Sequence, residues 1–393
     1  VSPAGRTAPL RGAELREVEV VERAFVLCEE GTVVACGAMS ELREVPGGVL
    51  ELDGRGRCAV PGLVDCHTHP CFGGDRVEEF ALRAAGASYE ELHAAGGGIL
   101  STVEATRAAG AEGLRRAVER HRQWMLRAGT TTFEGKSGYG LDLETELDSL
   151  RAIALAGGVP TWLGAHAVPP EFEDADSYLD FALADVLPGA AELAEAADVF
   201  VERGAFDVNQ ARRFLDACRA QGLALRIHGD QFTEQGAVPL AIELGARSID
   251  HLEATGDEGV RALGESAVVA VLLPASALVL ARPMPPGRKL VDAGAAVALA
   301  SDFNPGSSFC ESLPLVCSLA CTQLGLSPAE ALAACTVNAA YVLARGDSLG
   351  RLAPGYRADV VLLDAPDWRH LAYHVGGDLV AGVVLAGEVV WER

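Results

Sequence analysis

Between about residues 59 and 343, short apolar runs rich in Val, Ala and Leu alternate with longer stretches in which Ala, Leu, Glu and Arg recur at helical spacing. A buried strand followed by an amphipathic crossover, repeated, is the pattern of a parallel sheet with helical connections. The strands are expected at 59–65, 130–134, 161–165, 199–202, 224–228, 248–251, 268–273 and 296–301. Eight is the number that closes a β/α barrel. Helices over 112–127, 144–156, 209–221 and 328–344 supply crossovers, and a short helical patch around 88–106 is expected at the barrel mouth. The rhythm differs at both ends. Short β-rich runs at 17–21, 24–28, 33–36 and 48–52 are matched by others at 358–364, 379–385 and 388–391, separated by Gly and charged turn residues. The fold class read from this pattern is α/β: a (β/α)8 TIM-like barrel over 59–345, with a small β-sandwich domain assembled from 1–58 and 346–393.

Composition narrows the partners. Hydrophobic residues make up 49% of the chain and aromatic ones only 6%, which describes an aliphatic core and excludes disorder as the dominant state. Thirty-two Lys and Arg against 55 Asp and Glu give a net charge of −23, which disfavours nucleic acid and anionic membrane surfaces. No apolar run reaches the roughly 18–20 residues of a bilayer span, and the N-terminal stretch lacks the apolar segment of a secretory signal. The expectation is a soluble, cytoplasmic protein. Its ten cysteines are scattered without a paired spacing, so most read as small buried hydrophobes.

The nine histidines divide into two groups. His93, His121, His370 and His374 fall in helical or loop stretches and read as surface or structural residues. His67, His69, His166, His228 and His251 end predicted strands, on the side where barrel enzymes place their active sites. In extended backbone, residues two apart project to one side, so His67 and His69 can aim at one metal ion. Taken singly, each could be a core histidine closing a strand. With His228, His251 and Asp302 at the ends of the fifth, sixth and eighth strands, they point together to a metal centre. Gly96-Gly97-Gly98 lacks the Lys-Ser/Thr ending of a phosphate loop and reads as a turn.

The stretches PGLVDCHTHPCFGGDRVEEF (61–80), AGTTTFEGKSGYGLDLETEL (128–147), GAHAVPPEF (164–172), RIHGDQ (226–231), DHLE (250–253) and SDFNPGSS (301–308) resemble the imidazolonepropionase family of the amidohydrolase superfamily. They occur in the family's order, and the resemblance spans roughly residues 20–390. It implies one Zn2+ or Fe3+ per subunit, held by His67, His69, His228 and Asp302. Arg76, Tyr139, His166 and Gln231 match positions that contact 4-imidazolone-5-propanoate. Asn304, Gly306 and Ser307 match the loop that holds substrate or product, and His251 matches a histidine acting on the attacking water. A homodimer is implied as well.

The same residues make chemical sense unaided. A metal ion lowers the pKa of its water towards ~7, which hydrolysis of a cyclic amide requires. Asp302 and His251 are both candidates to carry the proton. Gln231 cannot titrate and so cannot be a general base. Arg76 suits a propionate, the alternative being a salt bridge to Asp75, Glu78 or Glu79. Tyr139 offers a hydroxyl, the alternative being packing, and Lys136 could bind a phosphate or carboxylate, the alternative being support of its loop by pairing with a neighbouring carboxylate. The fourth strand, Phe200-Val201-Glu202-Arg203, carries no lysine that could be carboxylated, which favours a single ion, although Glu202 could bind a second. Two other readings are a heterocycle deaminase or cyclic amidase on the same metal site, and a non-catalytic barrel scaffold.

Overall fold

The computed structural model describes residues 1–4, 9–43, 47–86 and 98–393. Eight parallel strands follow one another in sequence order around a barrel: β1 (Leu63–Asp65), β2 (Thr130–Lys136), β3 (Val159–Ala165), β4 (Ala196–Val201), β5 (Ala224–Gly229), β6 (Ser248–His251), β7 (Val269–Leu272) and β8 (Ala296–Leu299). Each expected strand is present, with bounds shifted by a few residues. The barrel closes just beyond the strand ends. The Asp302 N–H donates to the His67 carbonyl (3.0 Å), and the His69 N–H to the Phe303 carbonyl (2.8 Å). This closure sets the two histidines of the first strand beside Asp302 of the eighth.

The first predicted strand is in fact two. Cys58–Pro61 runs antiparallel to Val360–Leu363 in the terminal sheet, and Leu63–Asp65 pairs in parallel with β2. Gly62 is the junction. A Cβ there would press within 2.7 Å of the Asp359 Cβ, and its N–H reaches the Asp359 carbonyl at 2.9 Å. Only glycine lets the chain pass so closely from one sheet to the other. The strand bearing His67 and His69 is therefore fastened directly to the small sheet.

That sheet runs Glu388–Glu392, Val380–Leu385, Val360–Leu363, Cys58–Pro61, so both ends of the chain contribute. The hairpin Ala24–Glu29/Thr32–Ala38 joins its margin through Val33 N–H to the Tyr356 carbonyl (2.8 Å). The expected run at 17–21 shrinks to Val18–Glu19, paired with Ser2–Pro3. The run at 48–52 forms no strand: it is exposed, and Gly48 turns with φ 86°.

Crossover helices start where side chains can take orphaned N–H groups. Asp142 caps Leu143–Leu155, Asp207 caps Val208–Ala220 and Ser327 caps the helix at Pro328. The stretch expected as one helix at 328–344 widens at Ala334–Asn338, where Asn338 accepts the Leu10 N–H and donates to the Val297 carbonyl, both at 2.8 Å. The mouth patch expected at 88–106 lies outside the described residues up to 97, as does His93. Its remainder opens the helix Ile99–Arg127, broken at Gly110 (φ 61°, ψ 172°). All ten cysteines are free. Among the described residues no helix is long and apolar enough to cross a membrane.

Candidate active site

The strand interiors are apolar where they face the helices and polar where they face the barrel axis at its C-terminal end. On β2 the inward residues are Glu134 and Lys136, and on β5 they are Arg226 and His228, each pair two apart as strand pleating requires. Cross-strand register sets Arg226 beside Asp198 and His228 beside Asp250. All six are buried.

Above this layer the imidazoles converge. His67 Nε2 lies 3.3 Å from His69 Nε2, which lies 3.5 Å from His228 Nε2. Asp302 Oδ1 is 3.4 Å from both His67 Nε2 and His69 Nε2. Ligand atoms in a tetrahedron about 2.0–2.1 Å from one ion are separated by about 3.3 Å. These spacings fit that geometry, and the donor set of three imidazoles and one carboxylate suits a divalent or trivalent transition metal. His67 Nδ1 is 2.6 Å from Asp250 Oδ2, and His228 Nδ1 is 2.9 Å from Asp198 Oδ2. The hydrogen-bonded carboxylate on His67 Nδ1 fixes the tautomer whose Nε2 lone pair faces the centre, whereas Asp198 approaches His228 Nδ1 as a close charge contact without an aligned hydrogen bond.

The electrostatics agree. Burial holds His228 neutral, with its pKa down at about 3 despite Asp198, and puts His69 well below its usual value. Burial and Lys136 oppose charge on His67, but Asp250 and Asp302 outweigh them and push it up to about 9. Burial likewise opposes charge on Asp302, yet His67 and His69 hold it well below the usual carboxylate range. This end of the barrel therefore favours positive charge where the Nε2 atoms meet.

Of the four converging side chains, His228 lies in a strand and His67, His69 and Asp302 follow strand ends, and several of the turns here are strained. Asp302 (φ 54°), Asp230 (φ 54°), His251 (φ 86°) and Leu252 (φ 71°) all sit at positive φ without being glycine. His251 completes a second grouping with His67 and Asp302, one ligand atom of each lying within 4.8 Å of the others. Its Nδ1 lies 3.4 Å from Glu253 Oε1, which leaves Nε2 as the working nitrogen.

Around the centre, His166 stacks on His69 (centroids 5.7 Å, 25°), and Tyr139 lies 5.2 Å from His166 and 6.0 Å from His69. His166 Nδ1 donates to the Gly138 carbonyl (2.8 Å), and burial brings its pKa to about 4, so Nε2 is an acceptor at neutral pH. Burial pushes the Tyr139 hydroxyl above its usual range and keeps its proton on. Glu146 shapes the turn beneath them by accepting N–H groups of Gly138, Gly140 and Leu141 at 2.8–3.0 Å through Oε1.

Arg76 forms the salt bridge that was one of its two expected roles. Nε and Nη2 grip Glu79 (2.8 and 2.6 Å), while Nη1 faces Gly306 so closely that a Cβ there would collide with it. Gly306 has no positive φ, so Gly306→Ala is expected to fold normally and to displace the flexible guanidinium. A rise of about threefold to tenfold in KM, with thermal unfolding little changed, is the predicted result of steady-state assay.

Other expectations are refined by geometry. Asn304 has no free amide valence: Nδ2 donates to the Asp302 carbonyl and Ser307 Oγ, and Oδ1 accepts from Gly306 and Ser307 N–H. It builds the loop that presents Gly306 and Ser307. Ser307 Oγ donates to Asp302 Oδ2 at 3.3 Å. Gln231 is half-buried, three residues beyond His228, with a side chain that makes no hydrogen bond to the described residues. Glu202 accepts N–H groups of Arg203, Phe232 and Thr233 and the Thr233 hydroxyl. His121, expected to be a surface or structural residue, is structural: it is buried, donates to the Pro70 carbonyl (2.7 Å) and stacks on Phe72, bracing the segment after His69. Sequence reading passed over Asp198, Asp250, Glu134 and Arg226; polar residues alternating within buried strands were the available signal.

Comparison with known proteins decides the lineage. Residues 58–390 match the amidohydrolase family, and the chain is 63% identical to the imidazolonepropionase of Rubrobacter xylanophilus over 98% of its own length and 95% of that protein's. The chain belongs to the amidohydrolase family, among the imidazolonepropionases. A second such relative, from Chloroflexus aggregans, is 47% identical over 99% of this chain and 96% of that protein. More distant amidohydrolases share the fold. A zinc-bound adenosine deaminase from Xanthomonas campestris superposes with a TM-score of 0.71 at 19% identity, covering 94% of this chain and 88% of its own. A 5-methylcytosine deaminase from Klebsiella pneumoniae gives 0.70 at 16% identity, covering 94% of each chain.

Proposed function

We infer that the barrel mouth hydrolyses 4-imidazolone-5-propanoate to N-formimidoyl-L-glutamate, the third step of histidine degradation. The observation that carries the reading to substrate level is an available cationic edge, Arg76 Nη1, facing the Gly306 loop that Asn304 folds beside Asp302. A carboxylate tail needs such a partner, whereas a neutral heterocycle does not. Identity of 63% to an imidazolonepropionase agrees with it.

His67, His69, His228 and Asp302 would hold one zinc or iron ion. When bound, the ion supplies a nucleophilic water at neutral pH and polarises the ring carbonyl. The chain's own residues do the rest. Arg76 takes the propionate through Nη1, with Ser307 beside it, and orients the ring. Tyr139 donates its retained hydroxyl proton to the substrate, and His166 Nε2 accepts a ring N–H. Gln231 can meet the amide edge of the ring as donor or acceptor. The incoming water bonds through its oxygen to the ring carbonyl carbon and gives its proton to His251, directly or by way of Asp302. The bond between the carbonyl carbon and the ring nitrogen breaks, and His251 Nε2 delivers a proton to that nitrogen. The new carboxylate and the formimidoyl group then leave together as product. Glu202, its oxygens occupied by backbone donors, takes no part in this scheme, and one ion suffices. The reading extends to a homodimer in the cytoplasm, as family resemblance implies.

Turnover of imidazolonepropionate, with about one metal equivalent per chain, is the deciding experiment; preference for neutral purines or pyrimidines would overturn it. Arg76→Met is expected to raise KM about 10–100-fold, the worth of a charged hydrogen bond. Because the Arg76–Glu79 pair is partly exposed, folding stability should change by less than about 1 kcal/mol. A KM equal to that of the parent would remove Arg76 from the site.

A further inference from the structure

We propose that Lys136 is the positioning residue of the metal centre, its ammonium tying together the two carboxylates that aim His67 and His228. The proposal rests on the metal-centre reading above. Lys136 is wholly buried at the end of β2, and the expected pairing with neighbouring carboxylates is present. Its Nζ lies 2.7 Å from Asp198 Oδ2 and 3.8 Å from Asp250 Oδ2. These same two oxygens stand 2.9 Å from His228 Nδ1 and 2.6 Å from His67 Nδ1. One cation thus reaches, through two carboxylates on β4 and β6, imidazoles carried by β5 and by the segment after β1.

The rest of the network leaves this task to Lys136 alone. Arg226 is committed to Glu134 (2.6 Å) and to the carbonyls of Cys66 and Val342. Glu134 also receives Thr161 and, at 3.1 Å, Lys136, but touches neither histidine. Without the ammonium, Asp198 and Asp250 would face each other as buried like charges and would separate, and each would carry its imidazole with it. Loss of an outer partner of a metal-bound histidine commonly weakens affinity 10–100-fold.

The test compares Lys136→Met with Glu134→Gln, which loosens the same network without touching a histidine partner. Zinc affinity is read by chelator competition, ligand geometry by the visible spectrum of the cobalt-loaded protein, and stability by thermal unfolding of the metal-free forms. Lys136→Met is expected to weaken zinc binding about 10–100-fold with altered cobalt bands, and Glu134→Gln to stay within a factor of about three with parental bands. Should Lys136→Met not fold, Lys136→Gln, whose amide can still donate to one carboxylate, is expected to show a smaller loss in the same direction. Parental zinc affinity and cobalt bands in the folded Lys136 variant, or equal losses in Glu134→Gln, would overturn the proposal. Failure of the parent protein to bind one zinc equivalent would instead defeat the metal-centre reading.

Discussion

Asp302→Asn is expected to lower turnover by at least about a thousandfold and to strip the centre of most of its metal. Asp302 is the only anion among the four converging ligands, and its Oδ1 is 3.4 Å from two imidazole nitrogens. Three neutral imidazoles without it lose the charge that anchors the ion. Asparagine also cannot accept the proton of the attacking water, a role worth about 10²–10⁴ by itself. The fold should survive. The backbone bond from Asp302 N–H to the His67 carbonyl involves no side chain, and asparagine tolerates the positive φ of 54° well. The check is metal content, kcat and thermal unfolding measured together. A folded variant with parental turnover and one bound ion would show that this carboxylate is neither ligand nor base.

Much of this arrangement could be read before any coordinates. The alternation of apolar runs and helical stretches gave the barrel because each strand, buried on both faces, must be apolar nearly throughout, as at β7 and β8. The ligand histidines stood out because a polar residue closing such a run has no packing reason to be there. What pattern could not supply was register. That His228 neighbours Asp250, or that Arg226 neighbours Asp198, follows from strand alignment, and Lys136 looked like a loop residue until that alignment was known. The break at Gly62 was hidden for a different reason. Residues 59–64 carry no polar side chain, and a chain that leaves one sheet and enters another keeps the same hydrophobic signature on both sides of the junction.

The balance of functions among polar residues was equally beyond pattern. Asn304 was a reasonable substrate contact by resemblance, but hydrogen-bond counting shows its amide filled by its own loop. For Arg76 the choice between clamp and salt bridge need not be exclusive, since a guanidinium can grip Glu79 with one edge and leave another facing the Gly306 loop. The net charge of −23 conceals this local feature. In the proposed scheme an acidic protein binds an anion because an ion site and one arginine would make the mouth locally positive.

His251→Asn separates proton transfer from metal holding, and its expected signature is a fall in kcat of about 10²–10⁴ with KM and metal content close to parental values. His251 shares a grouping with His67 and Asp302, and the proposed scheme gives it the proton rather than the ion. Its ring lies 5.3 Å from that of His228 and 5.6 Å from that of His67, and its Nδ1 is directed towards Glu253. A nitrogen so placed can reach the water or the departing ring nitrogen while the three other imidazoles stay where they are. Asparagine can occupy the φ of 86° and can hydrogen-bond at that position, but it cannot take up and release a proton. The variant should therefore bind substrate and metal and fail only at bond cleavage, the reverse of Arg76→Met. If His251→Asn instead lost its metal in step with its activity, His251 would be a ligand. If its kcat equalled the parent's, Asp302 would have to carry the proton both from water and to the ring nitrogen.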